Sequence, residues 1–294
     1  MTGCILVTGG TGQLASALAA APHVRVIGRP AFDFDRPETI EAAFLAAAPR
    51  LVVNAAAYTA VDAAENDADA AYRANRDGPA ILARLCTAAD IPLIHVSTDY
   101  VFDGAKPAPY TETDPVAPQG IYGASKLAGD QAVMASGAKA IILRTAWVYA
   151  ATGKNFVRTM LTVGKTRDRL TVVADQFGCP TSATDLADAI LAIIARLDQT
   201  GWQPHYGGVF HAAGTGATTW HGLAVATFEE AGRHGAKVPE VAPIASADWP
   251  TPAKRPANSR LDCTRLYDVF GVRLPPWRES LARTVDTIFA SAPP

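Results

Sequence analysis

Ile5-Leu6-Val7-Thr8-Gly9-Gly10-Thr11-Gly12-Gln13-Leu14-Ala15 opens the chain as an apolar run that breaks on glycine and resumes as a helical pattern. Strand, glycine-rich turn and helix in that order form a dinucleotide-binding turn, and this context makes a weak glycine pattern informative. Gly9 permits the tight turn, and Gly12 lets the main chain approach a pyrophosphate. The helix beginning near Gly12 offers that anion unpaired N–H groups and the positive end of its dipole. Ala15 stands at the third glycine position, so helix and strand must pack across one methyl group, a known variant of the pattern.

The alternation continues outward from this turn. Cys4 to Thr8, Val24 to Gly28, Leu51 to Asn54, Pro92 to Ser97 and Ala140 to Thr145 read as strands. Their nearly continuous Ile, Leu and Val content suits strands covered on both faces, as in a parallel sheet. Between them, Glu38 to Ala48 and Asp69 to Ala89 read as helices. The repeat predicts an α/β fold with a doubly wound, Rossmann-type parallel sheet. Beyond Ala146 the rhythm loosens. Leu170 to Ala174 and Gly208 to Ala212 read as further strands, and Asp185 to Leu197, Trp220 to Gly232 and Glu279 to Ala290 as helices, with a Pro-rich passage from Pro239 to Pro256. The expected division is a dinucleotide-binding domain over residues 1–174, with a further strand near 208–212. A smaller, partly interleaved α/β substrate domain is expected over most of 175–294.

Composition excludes several classes. The chain has 294 residues, 49% apolar and 18% charged, which is enough for a full core and rules out intrinsic disorder. A formal charge of -2 leaves no electrostatic footprint for nucleic acid or an anionic membrane surface. Cys4, Cys86, Cys179 and Cys263 form no CxxC pair, which argues against a structural zinc site and suits a reducing compartment. No metal site is expected. With neither a signal-peptide pattern nor a membrane-length apolar run, the reading is a cytoplasmic protein.

The end of the second strand is where a cofactor ribose is read, usually by Asp or Glu for NAD, while a nearby Arg accommodates a 2′-phosphate. Here the strand ends Val26-Ile27-Gly28-Arg29, without an acid at its tip. Arg29 therefore points to NADPH as the preferred cofactor, with NADH as an accepted alternative. Just beyond it, Asp33 is expected to accept a hydrogen bond from the adenine and Phe34 to stack on it.

A second motif carries the chemistry. The fourth strand ends His95-Val96-Ser97-Thr98-Asp99-Tyr100, and Tyr122 and Lys126 follow in Ile121-Tyr122-Gly123-Ala124-Ser125-Lys126, leading into the helical pattern Leu127 to Ala135. Spaced i and i+4, they share one helix face. A phenol with an ordinary pKa near 10 is a poor proton donor and acceptor at neutral pH. A neighbouring ammonium is expected to lower it toward the working range and to bond the nicotinamide ribose. Thr98 is expected to hydrogen-bond the reacting oxygen. Asp62 and Glu65 read as helix-starting acids, His95 as a core residue, and the cysteines as packing.

Together these motifs resemble the extended short-chain dehydrogenase/reductases. Dehydratases of that family carry an Asp-Glu pair after the Thr, whereas here Asp99-Tyr100 follows Thr98, which favours simple reduction. Longer stretches narrow the resemblance: residues 53–62 (Val-Asn-Ala-Ala-Ala-Tyr-Thr-Ala-Val-Asp), 97–104, 144–149, 250–256 and 258–262 are similar to the dTDP-4-dehydrorhamnose reductase family, from the glycine turn to about Arg278. That resemblance implies reduction of the C4 ketone of dTDP-4-dehydro-L-rhamnose, the last step in making an activated sugar for cell-surface polysaccharide. It implies Tyr122 as proton donor, with Lys126 and Thr98 in support. Gly12, Gln13 and Leu14 are implied at the pyrophosphate, with Ala57, Tyr58, Thr59 and Val96 along the cofactor. Thr98, Asp99, Trp147 and Arg255 are implied at the dTDP-sugar. The family often has His where Tyr58 stands and an acid near Gly28. Two alternatives stay open: a non-catalytic regulatory subunit like the methionine adenosyltransferase beta subunit, and a reductase of another 4-keto sugar nucleotide. A homodimer is compatible with the reading, which leaves oligomeric state and any interfacial Mg2+ open.

Overall fold

The computed structural model describes residues 3–291; positions 1, 2 and 292–294, at the outer limits of the two expected domains, lie outside the described residues. Six strands form the central sheet: β1 (Ile5–Thr8), β2 (Val24–Ile27), β3 (Leu51–Asn54), β4 (Pro92–Thr98), β5 (Lys139–Thr145) and β6 (Gly208–His211). Their order is β6-β5-β4-β3-β1-β2, and every pairing is parallel. The order reverses between β1 and β3, so a crevice opens at the carboxyl ends of those strands.

Side chains alternate across the sheet. Val7, Val53, Ile94 and Leu143 face one apolar cluster with Leu14 and Leu18 of α1 (Gln13–Leu18); Leu6, Val52, Leu93 and Ile142 face a second, with Ile40 and Phe44 of α2 (Pro37–Ala47) and Leu82 of α3 (Gly78–Ala88). Both faces are therefore dry, which explains strands that are apolar at nearly every position. The remaining long helices are α4 (Ile121–Ala135), α5 (Phe156–Gly164), α6 (Ala183–Thr200), α7 (Trp220–Gly232) and α8 (Trp277–Ala290). Helix α6 closes the first cluster through Leu186, Ile190 and Ile193.

Two expectations need correction. The strand expected at Leu170 to Ala174 forms as Arg169–Val173 but does not extend the central sheet. It pairs in parallel with Glu240–Ile244, inside the Pro-rich passage, because β6 already occupies the free edge of β5. The helix expected from Asp69 to Ala89 is broken into Ala68–Tyr72, a π-helical turn Arg73–Asp77, and α3. The wide turn has a job at the site below, and such turns often do. Two further small sheets pair Thr218–Thr219 with Phe177–Gly178 and Asn258–Ser259, and Val148–Tyr149 with Thr181–Ser182.

Candidate active site

The glycine turn is held in a shape only glycine adopts easily. Gly9 and Gly10 have φ of +112° and +53°, the Gly12 N–H donates to the Gly9 carbonyl at 2.9 Å, and the Gly10 N–H donates to the Ile27 carbonyl at 3.0 Å. Gln13 and Leu14 lie in the first turn of α1, before the first intrahelical bond from Ser16 N–H to the Gly12 carbonyl, so their N–H groups have no partner within the helix. The Leu14 side chain is buried in the core, which leaves only its main chain for a ligand. Gln13 Oε1 accepts from Asn155 Nδ2 at 3.0 Å, so the start of α5 roofs the turn. No sequence pattern pointed to Asn155.

At the tip of β2, a Cβ on residue 28 would lie 2.6 Å from Gly10 Cα. The two main chains touch there, which is why no acid occupies the strand tip. The carboxylates sit farther on: Arg29, with its side chain 67% exposed, pairs with Asp33 at 2.9 Å and Asp35 at 2.6 Å. Phe34 needs correction as an adenine platform. Its ring is buried edge-on against Phe32 and fills the place a Cβ on Gly78 would take, so it is a core residue.

The loop after β3 is clamped. Asn75, in the π-helical turn, accepts from the Tyr58 N–H at 2.8 Å, donates to the Tyr58 carbonyl at 3.1 Å and to Ser125 Oγ at 3.0 Å. Gly129 makes room, since a Cβ there would lie 1.9 Å from the Asn75 carbonyl oxygen. The expected cofactor segment Ala57-Tyr58-Thr59 is thereby fixed against α4, with Ala57 and Tyr58 half-buried and Thr59 exposed.

Helix α4 carries Tyr122 and Lys126 one turn apart and begins well before the helical pattern expected from Leu127. Its N-terminus has no side-chain cap of its own; Glu65 Oε1 accepts from the Ile121 N–H at 2.9 Å. Asp62 does stand in the first turn of Val61–Ala64, as a helix-starting acid should, but both residues also make long-range contacts. Lys126 is 2% exposed, and its Nζ donates to the Val96 carbonyl at 2.7 Å, which occupies the main-chain acceptor of a residue expected at the cofactor. Burial pushes the ammonium down to about 8, with Asp130 opposing. Burial pushes the Tyr122 phenol up to about 12, partly offset by the Thr98 hydroxyl, and Lys126 does not reverse it. The expected lowering is thus absent. Tyr100 meets the Tyr122 ring edge-on at 5.4 Å.

Thr98, at the end of β4, donates to Asp99 Oδ1 at 3.0 Å and accepts from the Tyr100 N–H at 3.2 Å. Asp99 is 3% exposed, with burial lifting its carboxyl to about 6. His95 is wholly buried, as expected, with Nδ1 3.0 Å from Asn54 Nδ2. Trp147 is half-buried at φ +50° and stacks on Trp220 at 3.5 Å between centroids, while Gly178 lies against its ring. Sequence reasoning missed Trp220, because nothing local distinguishes it from a core aromatic. Arg255 pairs with Asp62 at 2.8 Å across 193 residues of sequence. Both line a cleft of about 810 Å³ with Phe156, Trp220, Trp249 and Thr251. Thr98, Tyr122 and Lys126 are not on that lining, whereas Trp220, which stacks on Trp147, is.

The sequence model of the RmlD substrate binding domain matches residues 1–289. A dTDP-4-dehydrorhamnose reductase of Sinorhizobium fredii is 45% identical over 285 residues, 96% of each chain. A crystal structure of a dTDP-4-dehydrorhamnose reductase from Clostridium acetobutylicum is similar at a TM-score of 0.88 and 38% identity, covering 97% of this chain and 99% of that one. One from Bacillus anthracis, in complex with NADP, is similar at a TM-score of 0.87 and 33% identity, covering 98% and 100%.

Proposed function

Because the chain belongs to the RmlD substrate binding domain family over nearly its whole length, we propose that it reduces the C4 ketone of dTDP-4-dehydro-L-rhamnose to dTDP-L-rhamnose with NADPH. The observation that carries the reading is the meeting of three features at one end of the sheet. These are a glycine turn with open N–H groups, a phenol and a buried ammonium one turn apart on α4, and a Thr-Asp pair ending β4.

The cofactor supplies the hydride. The protein supplies position and protons. Gln13 and Leu14 hold the pyrophosphate by main-chain N–H groups, where anionic charge is favoured, and Gly9 and Gly12 shape the turn that lets the phosphates approach. Arg29 reads the ribose beyond β2, where its guanidinium suits a 2′-phosphate, which supports NADPH with NADH accepted, and Asp33 beside it accepts from the adenine. Ala57, Tyr58, Thr59 and Val96 border the cofactor on the β3–β4 side. Tyr122 donates its proton to O4 as the ketone becomes an alkoxide, Thr98 bonds the same oxygen, and Lys126 bonds the nicotinamide ribose and faces the phenolate left behind. Asp99 accepts from a sugar hydroxyl, and Trp147 forms an apolar wall for the ring. Arg255 trades Asp62 for the diphosphate, a bidentate partner of the same geometry.

The central sheet forms the cofactor half, and the small sheets with α5 and α7 form most of the substrate half. Four unpaired cysteines support a cytoplasmic setting, and among the described residues no helix is long and apolar enough to cross a membrane. The direct test is incubation of purified protein with the keto-sugar nucleotide and NADPH. Loss of NADPH absorbance with formation of dTDP-L-rhamnose is expected, and no oxidation with either nicotinamide would refute the reading.

A further inference from the structure

Lys126 is charged at a place where charge is expensive. It is 2% exposed and has, among the described residues, one hydrogen-bond acceptor, the Val96 carbonyl. Desolvation of an ammonium to this degree favours the neutral amine. The groups near it come from three elements. On its own helix are Tyr122, one turn before, and Asp130, one turn after. From β4 comes His95, and from β5 comes Arg144, which reaches Asp130.

Asp130 is 2% exposed, and its Oδ2 accepts from Arg144 Nε at 3.2 Å. Its Oδ1 receives no hydrogen bond from any described residue and lies 3.8 Å from His95 Nε2. His95 does not neutralise it, because burial, and then the charge of Lys126, push the imidazole well below its usual range and keep it neutral. Burial raises the Asp130 carboxyl above its usual range, and Arg144 first and Lys126 second offset only part of that rise. The aspartate is therefore paired with a guanidinium through one oxygen, while the other lies buried without a hydrogen bond from the described residues, on the helix face that also bears the ammonium.

We propose that Asp130 is a positioning residue for the reductase: its buried carboxylate, anchored by Arg144, holds the Lys126 ammonium charged and aimed at the cofactor ribose and the Tyr122 oxygen. The inference rests on the function proposed above and adds a residue that touches neither cofactor nor substrate. Its signature is a pH dependence with a fixed sign. A charged Lys126 is needed, so activity falls as pH rises through the lysine's titration. Tyr122 titrates higher, so the lysine sets the first basic limb. Without Asp130 the ammonium loses its counter-charge and that limb moves to lower pH.

The test compares wild type, Asp130→Asn, and Asp130→Asn combined with Arg144→Gln. The double variant leaves no unpaired guanidinium where Arg144 met Asp130, and so guards against simple misfolding. NADPH oxidation with the keto-sugar, and NADPH affinity by fluorescence titration, are followed from about pH 6 to about pH 10. Both variants are expected to show the basic limb about one unit lower, hence roughly fivefold lower kcat/KM near pH 8 and roughly tenfold lower above about pH 9, while keeping an acid-side plateau. A basic limb that stays in place, or a loss of equal factor at every pH, overturns the proposal. So does failure of both variants to fold, which would make Asp130 purely structural. If the wild type binds NADPH but does not turn over the sugar, the function fails, while the limb in NADPH affinity still decides the role of Asp130.

Discussion

Gly28→Ala isolates the contact that shapes the cofactor end of the site. The added Cβ would lie 2.6 Å from Gly10 Cα and 3.0 Å from Gly10 N, both main-chain atoms that cannot rotate away. Carbon atoms pack at about 3.5–4.0 Å, so the turn and the end of β2 must separate by about 1 Å. That separation stretches the 3.0 Å bond from the Gly10 N–H to the Ile27 carbonyl and moves the N–H groups that face the pyrophosphate. Overpacking of this kind costs about 1–3 kcal/mol. If the strain falls on the turn, NADPH affinity drops by roughly 5- to 150-fold, at about 1.4 kcal/mol per factor of ten. Fluorescence titration gives the Kd and a melting curve gives the share of strain borne by the fold. Turnover at saturating NADPH should stay within about threefold, because the reacting groups lie on β4 and α4. Gly28→Ala with wild-type NADPH affinity and an unchanged Tm would refute the argument. It would also reopen the position to the acid that many NAD-binding turns carry.

Tyr122→Phe is expected to lower kcat by about 10²- to 10⁴-fold while leaving NADPH affinity nearly unchanged, since only proton donation is lost; near-normal turnover would require another acid. Asp99→Asn should stabilise the protein at neutral pH. The folded carboxyl titrates at about 6, above its ordinary 3.8, so between these values the unfolded chain ionises while the folded one holds its proton. Folded stability declines as pH rises through that window, by roughly 3 kcal/mol at about 1.36 kcal/mol per unit. The variant should therefore melt higher at pH 7 with no gain near pH 4, and an equal gain at both would refute the linkage. Arg29→Ala should cut the NADPH-to-NADH ratio of kcat/KM by about tenfold through loss of a phosphate contact; an unchanged ratio removes Arg29 from cofactor choice.

Much of the fold was legible because its signals are local. Val24–Ile27 and Leu51–Asn54 announce themselves as short apolar runs between helical patterns, and the glycine turn sits where a strand must hand over to a helix. Glu240–Ile244 was not legible, because its partner Arg169–Val173 lies about 70 residues earlier and Pro243 masks the strand pattern. The π-helical turn at Arg73–Asp77 was hidden for a similar reason: the clamp of Asn75 on Tyr58 and the gap left by Gly129 exist only in three dimensions. At the site, the spacing of Tyr122 and Lys126 fixed a shared helix face. Phe34, by contrast, sits at the right distance after β2 for an adenine contact, yet the hole at Gly78 draws its ring inward. Pairs such as Asp62 with Arg255 cannot be read from either residue alone.

The phenol at the centre of the site behaves differently from the lysine-lowered one that spacing suggests, and the difference favours reduction. Burial holds Tyr122 at about 12, so the donor is loaded with its proton across the working range. Hydride arrival at a ketone makes an alkoxide, a stronger base than a phenolate, so transfer from even this weak acid runs downhill. The cost appears afterwards, when a phenolate remains in a dry site. That is the moment at which an ammonium one helical turn away counts, because its attraction is weak to a neutral phenol and strong to the anion forming from it. Lys126 itself is pushed down to about 8 by the same burial, with Asp130 opposing the shift. On the roles proposed for Tyr122 and Asp130, proton donation would depend on a carboxylate two helical turns farther along α4, and disturbing either end of that line should register at the other.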